Sequence, residues 1–332
     1  MGVVGRRADI PRPSVVAFGG GTGLPVLLRG LRAIGVDRVA AVVTVADDGG
    51  SSGRLRQELG VAPPGDLRNC LVALAGRRRL AEVFDYRFEG GVELRDHSVG
   101  NIIIAALADM SGGFSEGVEQ AGRFLRITGR VLPAATENVT LVVHHADGSQ
   151  THGESALRGA GRAVTRVTIE PPTATAPPAV IGAIDSADVA VLGPGSLFTS
   201  TIPALLGAGV AEALSRFTGP VVYVANVMTQ PGETTGLTLA DHIEALRAHV
   251  GDVITDVLVD VTELPASVLA RYRAEGADPV VVDAERVQQL GAKLHRARLL
   301  PAEPREEIRH EPSLLAEAVL RVAAGSGELL RR

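Results

Sequence analysis

A doubly wound, mostly parallel α/β sheet is the fold this sequence predicts. Three observations lead there. Short β-branched runs recur along the chain, apolar at successive positions rather than alternating, as strands covered on both faces require. Loops rich in Gly, Ser, Thr, Asn and Asp follow these runs. Apolar residues at helical spacing follow the loops, so strands and helices alternate.

The first unit is "SVVAFGGGTGLPVLLRGLRAIG". The run Val15 to Phe18 reads as a strand, Gly19 to Gly23 as a turn, and Leu24, Leu27, Leu28 and Leu31 as one helix face from about Pro25. Val39 to Val45 reads as a second buried strand, followed by "ADDGGSSGR" and a short helix. From Val61 to Thr128 the pattern is mainly helical. From Arg130 to Ile169 it turns to β, with a hairpin signal at Asp147-Gly148. The proline-rich "EPPTATAPPA" reads as a loop inside one domain. Strand, turn and helix then return in "ADVAVLGPGSLFTSTIPALLGAG" and "PVVYVANVMTQPGETTGLTLADHIEALRAHV". "ITDVLVDVTELP" and "DPVVVDAERV" read as further strands. The expectation is a disordered extension over 1–12 and a single α/β domain over 13–325, with an inserted helical and β-hairpin region at about 62–169.

Composition narrows the functional classes. Hydrophobic residues make up 45% of the 332 residues and charged residues 21%, enough for a sizeable core. That core must be aliphatic, because Trp is absent and aromatics are 3%. A net charge of −5 argues against a nucleic-acid surface, and "GRRRL" near Arg77 reads as a solvated helix face. The single cysteine, Cys70, excludes a disulfide framework and points to a reducing compartment. Its setting in "NCLVALAG" makes it a core residue. The start lacks the apolar region of a signal peptide, and Arg6 breaks the myristoylation pattern. No apolar run is long enough to span a bilayer. A cytoplasmic protein with no membrane or nucleic-acid partner is expected.

In doubly wound sheets, ligands bind beyond the carboxyl ends of the strands. Four such loops carry suitable residues. "GGGTG" permits close backbone approach and leads into a helix N-terminus, where free amides and the helix dipole favour a phosphate; the alternative is a plain tight turn. It is no P-loop, and it half matches the dinucleotide fingerprint: Gly19 and Gly21 fit, but Leu24 takes the third position. Asp47 and Asp48 stand where an acid would meet a ribose hydroxyl, at a spacing slightly over the usual value of about 20 residues. They could instead hold Mg²⁺ through water and phosphate, or cap the next helix. Ser51 and Ser52 could cap that helix or donate to phosphate. "GPGSLFTS" offers Gly193, Gly195 and Ser196 as a second anion-binding turn, and "NVMTQPGET" belongs with them. Asp66 in "PPGDLRN" reads as an N-cap. His97 and Asn101 in "DHSVGN" precede an apolar helix, the histidine reading as a buried hydrogen-bonding residue. His144 and His145 face opposite sides of a strand and form no joint site. No zinc spacing, catalytic triad or nucleophile elbow occurs.

Taken in order, "GGGTGLPVLLRGL", "VTVADDGGSSGRLR", "PPGDLRN", "HSVGN", "GPGSLFTS", "NVMTQPGET", "ARYRAE" and "IRHEP" closely resemble the YvcK/GlmR family, the gluconeogenesis factors of bacteria. That family is a branch of the CofD superfamily, whose other branch transfers a phospholactyl-type group from a guanosine diphosphate carrier onto a deazaflavin. The resemblance spans about Val15 to Val322. It implies a Rossmann-like fold and a nucleotide-sugar ligand, chiefly UDP-N-acetylglucosamine, in a regulator of cell shape and peptidoglycan precursor supply on gluconeogenic carbon. By motif, Gly20, Gly21, Thr22, Gly23 and the loop from Asp47 to Arg54 would line the nucleotide cleft. Asn226, Thr229 and Gln230 would stand at another strand end. Tyr272 and Arg309 fall on the family residues implicated in holding the UDP-sugar. A phosphorylatable threonine of some relatives has no counterpart here, where Glu311-Pro312-Ser313 follows "IRH".

Three functions follow. The first is a UDP-sugar-binding regulator acting on a protein partner in cell-wall precursor synthesis, with homo-oligomerisation open. The second is a Mg²⁺-dependent nucleotidyl-diphosphate or uridylyl-type transferase, with Asp47, Asp48 and Asp66 on the metal. The third is an NAD-dependent oxidoreductase, suggested only by the half-matched fingerprint, although NAD could enter the same cleft.

Overall fold

The computed structural model describes residues 13–90, 94–155, 157, 162–302 and 307–325. The expected extension over 1–12 lies outside the described residues. The chain runs β1 (Val15–Gly19), α1 (Leu24–Ala33), β2 (Val39–Val43), α2 (Gly50–Leu59), α3 (Gly65–Leu74), α4 (Arg78–Asp85), α5 (Val99–Ser111), α6 (Phe114–Leu125) and β3 (Arg130–Pro133). The hairpin strands β4 (Thr140–His145), β5 (Gln150–His152) and β6 (Val164–Glu170) follow. Then come α7 (Pro178–Asp185), β7 (Val189–Leu192), α8 (Val210–Arg216), β8 (Val221–Val224) and α9 (Leu239–Val250). The last elements are β9 (Asp256–Asp260), α10 (Ala266–Ala274), α11 (Ala284–Gln289), β10 (Lys293–Ala297) and α12 (Pro312–Ala323).

Seven strands form one sheet in the order β10-β9-β8-β7-β1-β2-β3, and every pairing in it is parallel. The α/β expectation is met. The inner strands β1, β7 and β8 are buried along their whole length, which is why their sequences are unbroken apolar runs. Strands β4, β5 and β6 make a separate antiparallel sheet. Cys70 is fully buried in α3, as its apolar setting predicts.

Two expectations need correction. "DPVVVDAERV" forms no strand: Val281 and Val282 are exposed, and Asp283 instead accepts hydrogen bonds from Ala240 N and Thr238 Oγ1. The strand falls later, on "KLHRA", whose polar residues suit an edge position and hid it from an apolar-run reading. The region 62–169 is also not wholly an insertion, because β3 joins the main sheet at its far edge.

The chain builds from β1 outward to β2 and β3, then crosses to β7 and builds the other way. The switch point therefore lies between β1 and β7, where the crevice beyond the strand ends opens.

Helix α1 is clamped against α12 at Gly30. A methyl group there would sit 1.8 Å from Pro312 O and 2.9 Å from Ala316 Cβ. Gly30→Ala therefore tests the packing directly. Helix propensity alone favours alanine by about 1 kcal/mol, but overpacking against backbone costs about 1–3 kcal/mol. A net loss of stability in urea titrations is expected; a gain would show that the helices are not in this close contact.

Candidate functional site

The β1 turn Gly20–Gly23, the β7 turn from Pro194 to Ser200 and the β8 loop from Asn226 to Pro231 surround a cavity of 390 Å³ at the switch point. Tyr272 of α10 and the segment Ile308–His310 close its far side. The two glycine turns touch. A Cβ on Gly23 would lie 2.4 Å from Pro194 O, and Gly21 and Gly193 hold left-handed φ values of +59° and +82°. Only glycine meets both demands without strain.

This crowding leaves donors pointing at the cavity. Among the described residues, the amides of Thr22, Gly23, Gly195 and Ser196 have no hydrogen-bond acceptor. Gly23 is the N-cap of α1 and supplies no side-chain cap, so the positive helix end stays open. Unsatisfied amides at a helix start are the kind of donor set that suits an anion.

Polar side chains hold the walls in place. Asn226 Nδ2 donates to Gly195 O at 2.9 Å, and Gln230 Nε2 donates to Ser196 Oγ at 2.8 Å. Behind Asn226, buried Tyr223 Oη lies 3.4 Å from Asn226 Oδ1 and 3.0 Å from His242 Nδ1. Burial raises the Tyr223 phenol above its usual range and lowers His242 to about 4, so this relay is neutral at pH 7. Thr229 and Asp278 exchange hydrogen bonds of 2.7 and 2.9 Å that seat the β8 loop against the end of α10. Tyr272 Oη accepts from Ile308 N at 2.8 Å, which ties α10 to the segment carrying Arg309. Arg309 pairs with Glu307, and burial lowers His310 to about 4, leaving it neutral.

The structure thus gathers Gly20, Gly21, Thr22, Gly23, Gly195, Ser196, Asn226, Thr229, Gln230, Tyr272 and Arg309 around one cavity. Gly193 supports the turn from below without lining it. Sequence reading missed Met228, Pro231, Glu275, Ala277 and His310 on the cavity wall. Four of these fall inside motifs already singled out, Met228 and Pro231 in "NVMTQPGET", Glu275 in "ARYRAE" and His310 in "IRHEP", whereas Ala277 carried no signal.

The "ADDGGSSGR" loop sits elsewhere, on the β2 side. Helix α2 begins at Gly50, so Ser51 and Ser52 lie inside its first turn on the buried face rather than capping it. Ser51 Oγ is held by His97 Nδ1 at 3.1 Å and by Asn101 Nδ2 at 3.0 Å; Ser52 Oγ accepts from Gly65 N at 3.1 Å. Arg54 donates to Arg95 O. Ser51, Ser52, Arg54 and Asn101 therefore join α2 to its neighbours and do not line the cavity. His97 has the buried hydrogen-bonding role its sequence setting predicts.

The three aspartates do not converge. Asp47 Oδ1 accepts from Gly49 N, and Asp48 Oδ1 turns the other way to accept from Ser155 N at 2.8 Å. Asp66 is not the N-cap of α3, a position that Pro64 holds. Its buried carboxylate instead accepts from Gly21 N at 2.6 Å, directly beneath the glycine turn. No cluster of three His, Cys, Asp or Glu placed to hold a metal ion occurs among the described residues.

Burial, opposed by the Gly21 N–H and reinforced by the charge of Asp47, raises Asp66 from 3.8 to about 6. The folded protein then binds a proton between those values that the unfolded chain has released. Stability from this group falls as pH rises from 4 to 6, by about 3 kcal/mol at 1.36 kcal/mol per unit. Asp66→Asn keeps an acceptor for Gly21 N and loses this slope. Thermal unfolding of both proteins from pH 4 to pH 8 should show the variant gaining on wild type as pH rises. A constant difference would contradict the buried carboxylate.

Comparison with known proteins agrees with this architecture. The family described as 2-phospho-L-lactate transferase CofD matches residues 15–300. A gluconeogenesis factor of Halalkalibacterium halodurans is 43% identical over 93% of this chain and 96% of its own length. One of Bacillus subtilis is 42% identical over 93% and 98%. The crystal structure of a upf0052-family protein from Bacillus halodurans superposes with a TM-score of 0.89 at 42% identity, covering 93% of this chain and 99% of that one. Fold, glycine turns and sequence agree that the chain belongs to the CofD family, on the side of the gluconeogenesis factors.

Proposed function

We propose that this protein is a nucleotide-sugar-binding regulator whose ligand is UDP-N-acetylglucosamine or a close relative. It would act in the cytoplasm and link carbon metabolism to cell-wall precursor synthesis and cell shape. The observation that carries the reading is the meeting of two unsatisfied amide turns, an open helix N-terminus, Tyr272 and Arg309 in one cavity. The amides suit a diphosphate, the Tyr272 ring offers a stacking face for a base, and Arg309 can exchange Glu307 for a phosphate. The gluconeogenesis-factor names of the relatives accord with such a role. No hydroxyl of the cavity is hydrogen-bonded to a histidine among the described residues, so the wall reads as a binding surface rather than a nucleophile with its base.

Membership in a family described as a transferase favours a second reading, transfer of a phosphorus-containing group. The Mg²⁺ site it needs does not fit the present arrangement, because Asp48 faces Ser155 while Asp66 is committed to Gly21 N. No metal-dependent step is derived from it.

Isothermal titration calorimetry with UDP-N-acetylglucosamine should give saturable heat. Arg309→Ala should weaken binding at least about tenfold, the scale of one charge-assisted contact. Asn226→Ala, which frees Gly195 O, should weaken it less. Absence of heat at millimolar ligand, or equal affinity of Arg309→Ala, would overturn the reading. Saturable binding of NAD alone would transfer the cleft to a dinucleotide. Phosphorus NMR of the same mixture with Mg²⁺ separates the second reading, since new phosphate resonances appear only if transfer or hydrolysis occurs.

A further inference from the structure

A second concavity runs along the outer edge of β3, at the far end of the sheet from β10. It has a volume of 450 Å³ and lies between α6, α7 and β3. Its floor is apolar, with Val118, Val131 and Leu132 buried. Its rim is basic. Glu119 is paired with Arg123 at 2.8 Å, whereas Arg126 and Arg130 are exposed and have no acidic partner among the described residues. An adjoining hollow of 270 Å³ shares Gly129 and Arg130 and continues the groove to the neighbouring pair Asp37 and Arg38. The groove as a whole carries a single positive charge in excess, and it is concentrated beside the strand edge at Arg126 and Arg130, in a chain of net charge −5.

The backbone at this edge is open. Among the described residues, strand β3 pairs only with β2. Ala134 N donates to Val43 O, so alternation along the strand turns the N–H and C=O of Val131 away from β2, toward the groove. Pro133 offers no donor and confines any further pairing to the stretch around Val131.

We propose that this groove receives an extended segment of a partner protein in which carboxylates alternate with apolar residues, added as a strand onto β3. The main-chain groups of Val131 would hold the segment. Apolar side chains would enter the floor, and carboxylates would reach Arg126 and Arg130. A second copy of this chain is the poorer occupant, because pairing β3 with its own equivalent would bring two sets of unpaired arginines together. The proposal does not depend on the nucleotide-sugar reading, whose cavity lies across β1.

A random heptapeptide display library panned on the full chain tests it. Sequences alternating Asp or Glu with apolar residues should be enriched on wild type and lost on the double variant R126E/R130E. A labelled peptide made from the enriched consensus should bind the double variant at least about tenfold more weakly, with an affinity that falls as salt rises. Val131→Pro removes the outward N–H together with part of the buried side chain, and Val131→Ala trims the side chain alone; a larger loss of peptide binding in Val131→Pro than in Val131→Ala is expected, which an ion pair without strand addition would not require. Circular dichroism of each variant separates loss of binding from loss of fold. No enrichment, enrichment of basic peptides, or equal binding by folded R126E/R130E would overturn the proposal. So would a wild-type dimer in sedimentation that R126E/R130E dissociates, since the groove would then belong to a second copy.

Discussion

The contact between Gly23 and Pro194 O is the constraint on which the rest depends. Two strand ends, β1 and β7, lie side by side at the place where the chain reverses its direction of building. Their loops must cross the same few ångströms of space, and a methyl group on Gly23 would stand 2.4 Å from the opposing carbonyl. Among the described residues, the amides of Thr22, Gly23, Gly195 and Ser196 find no acceptor in either loop. The donors are left facing the crevice, and the open start of α1 adds its dipole. The anion binding proposed for this cavity would rest on packing as much as on any charged residue.

Two buried polar features stabilise that arrangement from opposite sides. On the β2 side, Asp66 takes the Gly21 amide and sets the turn, at the cost of keeping a carboxyl out of water. On the β8 side, the neutral His242–Tyr223–Asn226 relay fastens the Gly195 carbonyl. Each feature meets a backbone group of one glycine turn, so Asp66, Tyr223 and His242 shape the cavity from behind its wall, while Asn226 also lines it. The aliphatic core beneath β1, β7 and β8 supplies the rigid floor that makes such placement possible.

The edge of β3 is governed by a different rule. A parallel sheet covered on both faces still has two ends, and an unpaired end presents main-chain donors and acceptors. Here that end is short, bounded by Pro133, and bordered by Arg126 and Arg130. These features restrain pairing with copies of the same charge while leaving the edge usable by a segment of opposite charge. The cavity proposed for the ligand and the groove proposed for a partner lie on either side of β2 and share no lining residue.

What was legible in the sequence is what local chemistry dictates. The unbroken apolar runs Val15 to Phe18 and Val189 to Leu192 declare buried parallel strands, and the glycines after each declare backbone crowding, because both signals lie within a few residues. Membership in the family was legible for the same reason, since its motifs are local strings. Tyr272 and Arg309 were legible only through that resemblance; nothing in their own surroundings distinguishes them from surface residues. Long-range packing decided the remainder. An aspartate two residues after Pro64 has the same sequence signature whether it caps a helix or reaches back 45 residues to Gly21 N. Adjacent Asp47 and Asp48 read as a pair, yet their carboxylates part because one closes its own turn and the other meets a loop beyond residue 150. Ser51, His97 and Asn101 meet only once α2 and α5 have packed. The sequence by itself determined the inner strands, the turns and the family, while the polar edge strand β10 escaped it. Only the tertiary structure decided which polar groups face the cavity and which are consumed in building it, because each hydrogen-bonding group must find its partner in space, not along the chain.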